Sequence, residues 1–212
     1  MATEHQRRHD TRQRLLRAGG EVFARDGFRG ATVRRIAQRA KANLAAIAYH
    51  FGGKEGLYLA VLEQSFAVAR AKYPPDMGVA AEAGPEERLR AFITAMLLWM
   101  LDKGKLSWHG KLMIRELADP SPVLDRVVEE AIRPLHDRLA GIVGELLAAE
   151  ADSDAVRLAV MSILGQCLFY RNSQPVVSRL YPGRFDAARI RELAEHITAF
   201  SLRALRGERG TG

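Results

Sequence analysis

The side chains with chemistry to offer gather early in the chain. Thr32, Arg34, Lys41, Asn43, Leu44, Ala45, Ala46, Tyr49, His50 and Lys54 all fall within 23 residues. Cations, a hydroxyl and an imidazole are donors for phosphate oxygens, and small alanines let a backbone approach base edges and thymine methyls. Bond-making chemistry is not suggested. The histidines at 5, 9, 50, 109, 136 and 196 are scattered, none in a His-Glu-X-X-His arrangement, and there is no glycine-rich phosphate loop or nucleophile elbow. The single cysteine, Cys167, excludes an internal disulfide framework and a cysteine-rich metal site, and its apolar setting reads as a buried structural thiol. The expectation is a non-enzyme that needs no cofactor and no metal.

Local signals say which elements must hold these groups. Thr32 is an N-cap residue, and Val33, Ile36, Ala37 and Ala40 follow at helical spacing, so a short helix spans roughly 33 to 40. Asn43 is a second N-cap. From there Leu44, Ile47 and Phe51 repeat at three and four residues and are expected to point inward, leaving Ala45, Ala46, Tyr49 and His50 outward. Gly52-Gly53 ends this helix, because glycine adopts the left-handed cap conformation freely. Lys54 then opens a third helix. A lysine there opposes the helix macrodipole, but with the free N–H groups it forms an anion site, which points to phosphate. Two short helices joined by a tight turn describe a helix-turn-helix reader of DNA. The stretch 44 to 51 also fits a small amphipathic helix with a solvated polar side.

Charge supports the nucleic-acid reading. The 212-residue chain is 48% hydrophobic and 27% charged, with a net charge of +7. Residues 1 to 55 hold 12 Lys and Arg against 5 Asp and Glu, whereas residues 56 to 212 hold 20 of each. The excess therefore sits entirely in the segment with the helix-turn-helix, the footprint of a DNA-binding domain joined to a neutral body. The longest apolar run, Ala91 to Leu101, is too short for a bilayer and reads as a buried helix. Arg7, Arg8, Arg12 and Arg14 precede no apolar stretch, so no signal peptide is expected and the protein is placed in the cytoplasm.

In chain order, Met1 to Asp10 reads as a mobile basic lead-in through which Arg7 or Arg8 reaches a phosphate or the minor groove, or as a solvated tail. A first helix from about Thr11 to Arg25 stops at Asp26-Gly27. A fourth runs from Lys54 to about Lys72, followed by the breaker-rich stretch from Tyr73 to Pro85. The body then offers an all-round apolar helix to Leu101, a helix from Leu106 to Ala118, a long one over 123 to 149, and two more over 154 to 171 and 186 to 205, separated by a loop at 172 to 185. No segment alternates with period two. The expected fold is all-α with about nine helices, divided as a DNA-binding domain over 1 to 55 and an effector-binding and dimerisation domain over 56 to 212. Met96, Trp99, Trp108, Met113, Arg115, Glu116, Phe169 and Tyr170 have the mixture of bulky soft groups and a few charges found in small-molecule pockets, and equally in helical cores.

Thr11-Arg12, Phe23-Ala24-Arg25-Asp26-Gly27-Phe28, Thr32-Val33, Ile36-Ala37, Tyr49-His50-Phe51 and Lys54-Glu55 with Leu57 together resemble the N-terminal domain of the TetR family of bacterial transcriptional repressors, over about residues 11 to 62. Residues 43 to 59 further resemble the CecR-like subgroup. The chain departs from the family pattern at Ala40-Lys41-Ala42-Asn43, where Ala-Gly-Val-Ser is usual, at Ala48, where a tyrosine is usual, and at Gly19-Gly20, where alanines are usual. The resemblance implies a homodimer whose last two helices, here 154 to 171 and 186 to 205, form a four-helix interface. It also implies a body that binds a small, often hydrophobic effector and a repressor released by it from a palindromic operator. The alternative is a DNA-binding dimer whose body serves protein contacts only.

Overall fold

The computed structural model describes residues 4–101, 107–183 and 186–208, and all the structure among them is helical. Eleven α-helices are formed by the described residues: α1 (Glu4–Gly30), α2 (Val33–Ala40), α3 (Ala45–Phe51), α4 (Lys54–Lys72), α5 (Pro85–Leu101), α6 (Ser107–Ala118), α7 (Leu124–Val127), α8 (Arg133–Leu147), α9 (Asp154–Asn172), α10 (Gln174–Leu180) and α11 (Ala187–Glu208), with a π-helical turn over Val128–Ile132. Two features separate this from the nine expected. The long helix over 123 to 149 is interrupted by the π turn just before Pro134, whose ring lacks the N–H that a regular helix needs. The loop expected at 172 to 185 contains α10, which has proline in its first turn.

The chain divides into two compact units, residues 1–68 with 105–131, and residues 69–104 with 132–212. The segment carrying α6 and α7 thus belongs with the N-terminal helices.

In the first unit, Leu15, Leu16, Val22 and Phe23 of α1, Ile36 of α2, Ile47 of α3 and Leu57, Tyr58, Val61 and Leu62 of α4 are buried. Gly19 is buried too. A Cβ at Gly19 would lie 3.3 Å from Val61 Cγ2, so the missing side chain lets α1 and α4 approach closely, which accounts for the departure from alanine at this position. Gly56 is more tightly constrained, since a Cβ there would stand 1.8 Å from the Phe51 carbonyl oxygen. The backbone leaves helical geometry at Gly27 (φ 72°, ψ 174°), where the Asp26-Gly27 stop was expected. At its other end α1 corrects the sequence reading. It begins at Glu4 instead of near Thr11, with Arg8 paired to Glu4 and the Thr11 hydroxyl donating to the Arg7 carbonyl.

The second unit is built on α5, α8, α9 and α11. Leu89, Phe92, Ile93, Leu97 and Leu101 of α5 meet Leu139 and Val143 of α8, Val160, Ile163 and Cys167 of α9, and Ile190, Ala194 and Ile197 of α11. Burial pushes the Cys167 thiol up to about 12, as suits a structural sulfhydryl. No described helix is long and apolar enough to cross a membrane.

Candidate nucleic-acid interface

Both caps of the helix-turn-helix form as the residue types require. The Thr32 hydroxyl accepts from the Arg35 N–H at 3.3 Å and opens α2. The Asn43 side-chain oxygen accepts from the Ala45 N–H at 2.9 Å and opens α3. Between them Lys41 turns the chain. Its backbone is left-handed (φ 49°, ψ 47°), its N–H bonds the carbonyls of Ala37 and Gln38, and its own carbonyl accepts from Arg14 at 3.3 Å. The family pattern has glycine here, which takes this conformation without steric penalty. Lysine exchanges that freedom for a charge at the turn.

Leu44 corrects the sequence reading. Its backbone is already right-handed helical (φ −55°, ψ −40°), but it stands at the head of α3 with no preceding turn beneath it, and its side chain is 50% exposed. Ile47 is the residue that α3 buries, and Phe51 is half-buried. The outward face carries Ala45, Ala48 and Tyr49, the last 68% exposed, with Ala46 and His50 half-buried at its margins. The Tyr49 and His50 rings meet edge to face at 4.9 Å. Lys54 folds back over its own unit, with Nζ 4.5 Å from the Phe28 ring centroid and 3.5 Å from the Arg29 carbonyl oxygen. Gly52 ends α3 at φ 73°.

Ion pairs sort the cations of α2. Arg35 binds Asp26 at 2.7 Å and Arg39 binds Glu21, both acids being on α1. Hydrogen bonding from Arg25, and then from Arg35 against an opposing desolvation, holds the Asp26 carboxyl well below the usual carboxylate range. Arg34 and Lys41 are exposed and ion-pair with none of the described residues. Of the basic side chains of α2 and the turn that follows it, these two are left to face a polyanion.

The expected effector residues divide between the units. Met113, Arg115 and Glu116 are on α6 in the first, and the Trp108 side chain lies outside the described residues. Glu116 is 0% exposed, and its carboxylate is engaged inside its own unit. One carboxylate oxygen accepts from the Tyr58 hydroxyl at 2.7 Å, and the other from the Ser121 N–H and hydroxyl at 3.1 and 2.8 Å. Burial, followed by the bond to Glu116, pushes the Tyr58 hydroxyl far above the ordinary phenol range. Arg115 donates to the Arg25 carbonyl at 2.7 Å, beside the break in α1. Both residues therefore bind α6 to helices of its own unit, Glu116 to α4 and Arg115 to α1. In the second unit Met96 packs against the core and Trp99 is half-buried. Phe169 and Tyr170, stacked edge to face at 5.9 Å, line a cleft of about 600 Å³ with Val177, Tyr181, Leu193 and His196. Among the described residues no cluster of His, Cys, Asp or Glu is arranged to hold a metal ion.

A capped, glycine-terminated helix-turn-helix in an all-helical chain has the build of a DNA-binding transcriptional regulator, and the comparisons agree. Residues 15–61 match the model of the bacterial regulatory proteins of the tetR family, and residues 85–205 match that of the C-terminal domain of the HTH-type transcriptional dual regulator CecR. The chain belongs to the TetR family of transcriptional regulators, and to its CecR-like subgroup. It is 28% identical to the HTH-type transcriptional repressor NicS of Pseudomonas putida over 94% of this chain and 92% of that one. Its fold is shared with FadR from Bacillus subtilis, solved with stearoyl-CoA (TM-score 0.67, 18% identity, 90% of this chain and 97% of that one). It is shared also with AibR, solved with isovaleryl coenzyme A and operator DNA (TM-score 0.65, 17% identity, 90% and 97%).

Proposed function

We propose that this regulator is a homodimeric repressor that holds a palindromic operator and releases it when a small molecule binds its body. The observation that carries the reading is the exposed Ala45–Tyr49 face of α3 flanked by the unpaired cations Arg34 and Lys41. Ala45, Ala46 and Tyr49 meet base edges, while Thr32, Arg34, Lys41, Asn43, His50 and Lys54 hold the backbone beside them. The first unit reads DNA and the second dimerises and senses. Dimerisation is supported by exposed apolar residues on the two long C-terminal helices, Leu158, Met161 and Phe169 on α9 and Phe200 on α11, which a second copy would cover. Sensing is supported by NicS being a repressor and by FadR and AibR having been solved with acyl-CoA ligands. Binding energy that differs between the DNA-competent and DNA-incompetent arrangements is what links effector to operator.

Recovery of genomic fragments by the purified protein at two salt concentrations tests this. The expected result is a palindromic motif with half-sites about one helical turn or a multiple apart, bound by an even number of chains and released by a metabolite extract. Diffuse, salt-sensitive recovery without a motif refutes specific readout. A motif that no extract releases removes the effector and leaves the dimer with a body used for protein contacts.

A further inference from the structure

The first two turns of α1 have no hydrophobic reason to be helical. Residues 4 to 10, Glu-His-Gln-Arg-Arg-His-Asp, contain no apolar side chain and all are exposed. Short helical segments without a buried face are marginal in water, so other contacts must hold this one. The contacts run to α3. Arg8 and Arg12, four apart and therefore on one face, place their guanidinium carbons 5.9 Å from the Tyr49 ring centroid and 5.3 Å from the Phe51 ring centroid. Arg14, further along, holds the Lys41 carbonyl and the Thr11 hydroxyl. Three arginines of α1 thus bracket the recognition helix, one at the turn before it and two at its far end.

A guanidinium lying over an aromatic face keeps its N–H edge free for an oxyanion. The group now facing the Arg8 edge is an exposed carboxylate, that of Glu4, one helical turn before it. Exposed pairs of this kind are weak and readily exchanged for phosphate, which is also geometrically suited to a guanidinium fork. We infer that the N-terminal turns of α1 are a second DNA-contacting element, in which Arg8 and Arg12 each take a backbone phosphate and Arg8 also positions Tyr49 for the base it meets. The inference rests on the DNA-binding reading of α3 and extends the contact beyond the helix-turn-helix.

The test uses the full chain and two probes, a 30-base-pair duplex of random sequence and a fragment recovered from the genome by the protein itself, with affinity followed against salt. Arg8→Ala and Arg12→Ala are each expected to shallow the salt dependence by about 0.9 in the log–log slope, equivalent to about 8-fold weaker binding at 0.1 M salt. Arg8→Lys retains the point charge but not the planar stack. It is expected to keep the slope while shifting base preference at the same position that Tyr49→Phe shifts. A merely structural role for Arg8 would not separate slope from preference in this way. Unchanged slopes and unchanged preference in all three arginine variants overturn the inference while leaving α3 as the reader. Failure of the unaltered protein to bind either probe overturns the DNA reading and the inference with it.

Discussion

Removing one hydroxyl, in Tyr58→Phe, isolates the buried carboxylate that ties α6 to α4. Tyr58 is 1% exposed and Glu116 is 0% exposed, so no water replaces the lost donor and one oxygen of Glu116 is left unpaired. A hydrogen bond to a charged group contributes about 1.5 to 3 kcal/mol, and stranding the acceptor places this case near the top of that range. The ring remains, edge to face with Phe23 at a centroid distance of 4.7 Å, so little packing is lost. The expected destabilisation is about 2 to 3 kcal/mol, a fall in melting temperature of roughly 4 to 12 °C for a chain of this size. Urea unfolding followed by circular dichroism measures it, with Glu116→Gln alongside. The amide nitrogen cannot accept the Tyr58 proton: at best it donates to the Tyr58 oxygen and leaves that buried O–H without an acceptor, so this variant is also expected to destabilise. A loss below about 0.5 kcal/mol in Tyr58→Phe would mean that the carboxylate is satisfied otherwise, and the account of α6 as bound to α4 through this contact would fail.

Three further changes probe the same physics elsewhere. Lys41→Gly should act with opposite signs on stability and affinity. It relieves a left-handed lysine and gains up to about 1 kcal/mol in unfolding, while loss of the charge shallows the salt dependence of DNA binding by about 0.9; equal or lower stability would show that φ 49° carries no strain. Gly56→Ala puts a methyl within 1.8 Å of the Phe51 carbonyl oxygen, so the end of α3 must move, and loss of DNA binding with a lowered melting temperature is expected; a native-like variant would refute that packing. Cys167 should resist thiol reagents in the folded protein at pH 8 and react on unfolding. Its folded pKa, pushed up to about 12, lies above the unfolded value, so the protonated thiol's contribution is full below about pH 9 and is lost as pH rises from there towards 12. Rapid labelling of the native protein would place the thiol outside the core.

The parts of this molecule that were legible in the sequence are those fixed by neighbours a few residues away. Thr32 and Asn43 cap because of their own hydroxyl and amide, and Ile36, Ile47 and Leu57 are buried because helical spacing puts them on one face. The parts that were not legible depend on distant partners. Glu116 looked like a polar group beside an effector, yet its partner Tyr58 is 58 residues away, and no local pattern announces that a carboxylate will be wholly enclosed. The N-terminal turns of α1 looked mobile because they carry nothing apolar, and the arene faces of Tyr49 and Phe51 that receive Arg8 and Arg12 lie some forty residues on. Leu44 failed for a different reason: its backbone is already helical, but it stands at the head of α3, where no preceding turn of the helix lies under its side chain, so the spacing of three and four places it without burying it.

The cations of α2 show how local phase and distant partners combine into function. Arg34 and Arg35 are adjacent and chemically identical, and composition alone treats them alike. Burial of Ile36, Ala37 and Ala40 fixes the rotation of the helix. With that phase Arg35 and Arg39, four apart, share the flank that meets Asp26 and Glu21 on α1, and their charge is spent inside the unit. Arg34 falls on the other flank, and neither it nor Lys41, in the left-handed turn beyond the helix, ion-pairs with any described residue. The count of 12 lysines and arginines in residues 1 to 55 therefore overstates the cations available to DNA, and the salt dependence of binding should follow the unpaired ones. Within α2 that makes Arg34→Ala the substitution that lowers affinity, and Arg35→Ala the one that lowers stability.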